Sequence, residues 1–314
     1  MGGGGAGQGR GRLDRRVGGP ASGLVAPKLL RPVAPPGNAG PRALMEQVAA
    51  LAPAQAMAPT AAPWNHNPAS PIGPSHWGNI GYPACGTGTG QSPVDIDTRA
   101  VTRLNGPPLL INYERSGLGV ENTGHVVGVP IPAGVTDTLR IGNDTYQLTQ
   151  YHFHAPAEHE INGGLADIEA HFVHQNSQGD NAVVGVFFRS GHDPNPLLDK
   201  ILLSAPVTAG DEVTIGEANP ADLFPRVARH GSRHDKRRLN VGSFYAYNGS
   251  LTTPGCTAGV RWFVLADGGR VSHAAVRRFH FVISRFPYYG GYPSNNRPVQ
   301  PLNGRVISFQ ASRA

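Results

Sequence analysis

The 314-residue chain has room for one large domain or two small ones, and its mix of 39% hydrophobic, 15% charged, 42 Gly and 29 Pro residues disfavours a helical bundle. No apolar run reaches the ~18–20 residues that cross a bilayer as a helix. The net charge of +6 does not mark a nucleic-acid binder, because residues 1–45 carry seven Lys/Arg against Asp14 alone while the rest balances 20 basic with 20 acidic residues.

Residues 1–71 read as an unstructured basic tail, a leader or a linker. Gly2–Gly11 is Gly-rich low complexity, and Ala-Pro-rich sequence continues to Pro71; such a segment buries too little apolar surface to offset the entropy of ordering it. Glu46–Ala52 could form a short helix before Pro53. A secretion signal is not convincing. Arg15-Arg16 precedes an apolar stretch broken by Gly, Pro and Lys28, while the small-residue pattern Ala54-Gln55-Ala56 lacks a basic lead-in.

From about Ser75 the texture changes to short alternating segments separated by turn signals: Asn105-Gly106, Gly142-Asn143-Asp144, Asn162-Gly163-Gly164 and Gly179-Asp180-Asn181. Strands are predicted over Leu109–Tyr113, Thr145–His154, Asp167–His174, Ala182–Arg189 and Val260–Leu265, and short helices over Asn195–Leu203 and Ala274–Ile283. The basic run Arg226–Arg238 lacks the aromatic interleaving of a single-strand binder, so nucleic acid is not expected as a partner. This is a mainly β (α+β) single domain over 72–314. Cys85 and Cys256 are too few for a disulfide scaffold and too far apart for a metal clip, which leaves one long-range disulfide or two inert thiols.

The chemistry concentrates in Gln150–His174. Side chains at i and i+2 of a strand share a face, so His152 and His154 aim together, with Tyr151 and Phe153 on the other side. If Asp167–His174 pairs beside them, His171 approaches from the flank. Three imidazoles with a fourth position open form the pattern of a catalytic rather than structural zinc site. The same parity puts Gln150 beside His152 and Glu169 beside His171 as orienting partners. It puts Val173 at the ion as an apolar wall and turns His174 away.

These segments resemble the zinc-ligand strands of the α-class carbonic anhydrases. Gln91-Ser92-Pro93-Val94-Asp95-Ile96, Ser250-Leu251-Thr252-Thr253-Pro254 and Arg297-Pro298-Val299-Gln300-Pro301-Leu302 are similar to further signatures of that family, in the same order, over about residues 75–310. The resemblance implies a large, mostly antiparallel twisted sheet with short peripheral helices. It implies Zn2+ as cofactor and reversible hydration of carbon dioxide to bicarbonate and a proton, by attack of zinc-bound hydroxide. His152, His154 and His171 match the ligands. Thr252 matches the hydroxyl that orients the nucleophile and Glu158 the acceptor of its proton. Val173, Val183, Leu251, Val260 and Trp262 match the substrate wall, Thr253 a second polar residue near bicarbonate, and His125 the proton shuttle. Sulfonamide and anion inhibitors are expected by the same resemblance.

The sequence also departs from the family pattern. Trp77-Gly78-Asn79 stands where many members carry Trp-Gly-Tyr, which removes a tyrosine hydroxyl from the cleft. Gly128 replaces a polar residue that often lines the water chain, and Pro225–Val241 is a longer, more basic surface loop than usual. By resemblance Cys85 and Cys256 form a disulfide, which places the protein in a periplasmic or secreted setting. The rival readings are a binding protein that has lost catalysis and a zinc esterase acting on larger carbonyls.

Overall fold

A computed structural model describes Met1, residues 62–225, 228–229 and 239–312 of the chain. The expected tail up to residue 61, the Glu46–Ala52 helix, the Ala54-Gln55-Ala56 pattern and most of the Arg226–Arg238 run lie outside the described residues. Everything below concerns the compact unit Ala39–Ala314.

The alternating segments become strands: β1 (Leu109–Asn112), β2 (Ser116–Asn122), β3 (Val127–Pro130), β4 (Thr138–Ile141), β5 (Asp144–His154), β6 (Ile168–Gln175), β7 (Asn181–Ser190), β8 (Glu212–Ala218), β9 (Phe244–Ser250), β10 (Ala258–Leu265) and β11 (Ser308–Gln310). With short edge pieces they form one 15-stranded sheet, whose main path runs β1-β4-β5-β6-β7-β10-β9-β11. Most pairs are antiparallel; β7 pairs β10 in parallel. The 11-residue β5 is long enough to pair β4 over 144–147 and β3 over 150–153.

The turn signals sit where hairpins need them. Gly142, Gly163 and Gly179 all have positive φ, a conformation that an L side chain disfavours. Helices α1 (Pro83–Thr87), α2 (Pro196–Ser204) and α3 (His273–Ile283) are short. The Asn195 side chain caps α2 by accepting from Leu197 and Leu198 N–H, and Ser272 caps α3 by accepting from Ala275 N–H.

Two apolar clusters cover the faces of the sheet. One contains Tyr151, Phe153 and Phe172; the other contains Val173, Val183 and Trp262. A bulge between Leu148 and Gln150 resets the parity of β5. Before it Tyr146 and Leu148 face the first cluster, and after it Tyr151 and Phe153 do. One extra residue therefore releases Gln150, His152 and His154 to the other face.

Residues 62–71, read from the sequence as tail, are packed into the domain: Asn65 is 2% and His66 1% exposed. Asn65 explains the order. Its Nδ2 donates to Tyr288 O at 2.8 Å and Ser70 Oγ at 2.9 Å, and its carbonyl accepts from Trp77 Nε1 at 3.1 Å. Sequence composition misled here because a few aromatic and amide contacts outweigh the polar, Pro-rich surroundings.

Candidate metal centre and cleft

β5 and β6 pair with His152 opposite His171. That register brings one ring nitrogen from each of His152, His154 and His171 within 4.8 Å of the others. The remaining nitrogens face protein groups, two of them through hydrogen bonds. His152 Nδ1 bonds Gln150 Oε1 at 2.8 Å, and His154 Nδ1 bonds the Asn295 carbonyl at 2.8 Å. Glu169 Oε1 lies 3.0 Å from His171 Nε2. His154 Nε2 is buried with no hydrogen-bond partner among the described residues. Three imidazoles, each oriented through one nitrogen, are a donor set that fits a divalent metal ion.

Charge follows burial. Desolvation and the neighbouring imidazoles hold His152 and His154 below the usual histidine range, so both stay neutral as ligands must. His171 is also desolvated, but the Glu169 carboxylate outweighs this and raises it. Burial alone would raise Glu169; His159 and His171 beside it leave it well below the ordinary carboxylate range. Glu169 Oε2 accepts from the N–H groups of Glu158 and His159 at 2.9 and 2.8 Å.

Above the histidines opens a pocket of ≈ 260 Å³ lined by His152, His171, Val173, Val183, Leu251, Thr252, Thr253 and Trp262. Every residue assigned to the substrate wall is there except Val260, which packs behind it in the same apolar cluster. The Leu251–Thr257 loop is tied down by Leu251 N to Thr257 O and by Cys256 N to Thr253 O, both at 2.9 Å. A disulfide joins Cys85 to Cys256.

The remaining candidate residues fall as follows, with His174 on the opposite face as expected. Glu158 Oε1 accepts from Arg297 N–H at 2.8 Å, whereas its Oε2 is buried without a hydrogen-bond partner among the described residues; the expected bond from Thr252 is not formed. His174 faces the first cluster, bonded to Tyr113 OH at 2.6 Å and Ala182 O at 3.2 Å. His125 lies outside the pocket lining, its ring stacked on Trp64 at 3.8 Å. Burial there pushes its pKa down to about 4. Trp77 is separate from this stack, fully buried beneath the Arg297 guanidinium.

Sequence reasoning missed Asn295, His159 and His66. Asn295 holds the end of β5, its side chain bonding Ala155 N at 2.8 Å and Phe153 O at 3.0 Å while its carbonyl orients His154. His159 links Glu169 to Tyr247 OH, at 2.8 and 2.7 Å. Neither pairing is local in sequence, so no spacing signals it.

The profile of the eukaryotic-type carbonic anhydrases matches residues 72–311. The chain belongs to that family. Among the curated carbonic anhydrases, that of Neisseria gonorrhoeae is 36% identical over 236 residues, 74% of this chain and 83% of its own length. The α-carbonic anhydrase of Thermovibrio ammonificans, solved with sulfanilamide, superposes with a TM-score of 0.68 at 34% identity, covering 79% of this chain and all of its own. Dioscorin complexed with ascorbate has a TM-score of 0.67 at 29% identity, covering 80% and 99%. As a carbonic anhydrase by family, the chain carries its histidine cluster on the two central strands of the family's fold.

Proposed function

We propose that this chain is a zinc enzyme that interconverts carbon dioxide and bicarbonate, with His152, His154 and His171 as the ligands. The reading is carried by three neutral-type donors converging beneath a pocket with apolar walls. When bound, a zinc ion supplies a hydroxide-strength nucleophile at neutral pH. Gln150, the Asn295 carbonyl and Glu169 hold the three rings in one tautomer and orientation each. Thr252 lines the pocket, and the buried Glu158 Oε2 is the acceptor proposed for its hydroxyl proton. A Thr252 oxygen that donates to Glu158 must accept from the nucleophile, which aims it. Val173, Val183, Leu251 and Trp262 keep bulk water from a small apolar substrate, while Thr253 offers a second polar contact to bicarbonate.

A proton must then leave, and His125 is the carrier. In the stacked pose its ring is a weak base, so the carrying state is the one swung off Trp64 into solvent, where imidazole titrates near 6.5. The long-range disulfide supports an oxidising, exported location, and no helix among the described residues is long and apolar enough to cross a membrane. By likeness to the sulfanilamide complex, sulfonamides should bind at the same pocket.

The likeness to dioscorin makes a binding protein on this fold the second reading; the complete histidine set favours catalysis. The purified full chain should hold about one zinc per chain and hydrate carbon dioxide in a stopped-flow assay. His171→Ala should lose both. Zinc-loaded wild-type protein without hydration activity would favour the binding reading instead.

A further inference from the structure

Five buried histidines fall among the described residues: His66, His154, His159, His171 and His174. His159 and His174 have both ring nitrogens bonded to protein, as structural core histidines do. His154 and His171 belong to the metal cluster. His66 fits neither class. Its Nδ1 bonds Tyr289 OH, while its Nε2 is buried without a hydrogen-bond partner among the described residues. It is not part of the ligand set.

Its position is between the two ends of the proton path. The His66 ring lies 6.5 Å from that of His154 on one side. On the other, Trp64 at 5.2 Å and Tyr289 both touch His125, Trp64 by stacking at 3.8 Å and Tyr289 at 6.2 Å. His125 Nδ1 is itself buried and without a hydrogen-bond partner. Two rings that each carry an unpartnered nitrogen, His66 and His125, thus both contact Tyr289, and His66 also neighbours the metal-centre ring of His154. Burial, His154, His125 and Arg297 all disfavour a charge on His66, which keeps it well below the usual histidine range. A neutral imidazole offers one donor and one acceptor.

We infer that His66 is a positioning residue of the proton exit path: its Nε2 holds a water between the metal-centre wall and His125. This inference rests on the proposed hydration chemistry. A proton released at the metal centre enters that water, a second proton leaves the same water towards His125, and the ring ends in the state in which it began. Nothing is oxidised or reduced, and His66 never becomes charged.

The test uses the zinc-loaded full chain as wild type, His66→Phe and His66→Gln. Phe keeps the ring packed between Trp64 and Trp77, and Gln keeps a donor and an acceptor. Oxygen-18 exchange at chemical equilibrium separates carbon dioxide–bicarbonate interconversion from the proton-dependent release of labelled water. His66→Phe should slow water release about tenfold in weak buffer, leave interconversion within about twofold, and recover on adding imidazole. His66→Gln should retain most of the wild-type release rate. A crystal structure of the metal-free protein should show an ordered water within hydrogen-bond distance of His66 Nε2, absent in His66→Phe. Unchanged water release in His66→Phe, an equal fall in both steps, a fall that imidazole does not rescue, or no ordered water at His66 Nε2 would each overturn the inference. Wild-type protein with no interconversion at all would instead sink the proposed function.

Discussion

Gln150 holds His152 through a single hydrogen bond of 2.8 Å, so its loss should show in metal affinity before stability. Gln150→Ala is expected to weaken zinc binding by about 10–100-fold, measured by competition with a chromophoric chelator, with little change in thermal midpoint. At His125 the governing neighbour is Trp64. Burial pushes the imidazole, stacked on Trp64, down to about 4, because a desolvated ring resists its cation. Trp64→Ala exposes the ring and should move its titration up towards the ordinary value, as followed by NMR. No movement would show that Trp64 does not set the carrier's basicity. The carrier role proposed for His125 came from a family resemblance; its stacking partner was not legible, because Trp64 sits in sequence that composition assigns to a tail.

The strands carry the clearest lesson in legibility. Parity placed Gln150, His152 and His154 on one face and Tyr151 and Phe153 on the other, as observed, because the period of two is a local backbone property. It could not reveal the bulge before Gln150, which depends on how β5 meets β6. The loop entering β4 holds a second non-local feature. Asp137 is fully buried; its Oδ1 accepts from Glu114 N–H at 2.7 Å and its Oδ2 has no hydrogen-bond partner among the described residues. Burial, with a smaller push from Glu114, raises its carboxyl to about 6. The folded state then holds the proton more tightly than the unfolded chain does. The stability from this group is complete below its ordinary value of 3.8 and is lost as pH rises through about 6. Asp137→Asn can keep the bond from Glu114 without the charge. Its thermal midpoint should gain on wild type between about pH 4 and 8; parallel curves would refute this.

Across the whole molecule, the disulfide joins the first helix, α1, to the loop that presents Thr252, over a separation of 171 residues. Reduction should lower unfolding free energy by about 2–4 kcal/mol, read as a lower denaturant midpoint. Zinc content should not fall, because the three histidines lie on paired central strands rather than on the tethered loop. Loss of zinc on reduction would show that the loop supports the metal centre. Arg297 reinforces the same junction, bonding Gln91, Ser92 O and Cys85 O through its guanidinium and Glu158 through its backbone N–H. The pocket wall is therefore built from segments far apart in the chain.

The amino-acid sequence by itself determined the central strands, helices α2 and α3, the shared face of Gln150, His152 and His154, and the turn of His174 to the opposite face; the approach of His171 waited on the pairing of β5 with β6. All but that approach follow from local periodicity and spacing, which neighbouring residues impose on one another. The tertiary structure alone decided that Asn295 orients His154 and that Glu158 keeps an oxygen without a hydrogen-bond partner. It also decided that residues 62–71 pack into the domain, with Trp64 stacked on His125 and His66 between Trp64 and Tyr289. Those contacts join segments separated by tens to hundreds of residues, and they exist only because burying aromatic surface and satisfying buried polar groups draws such segments together.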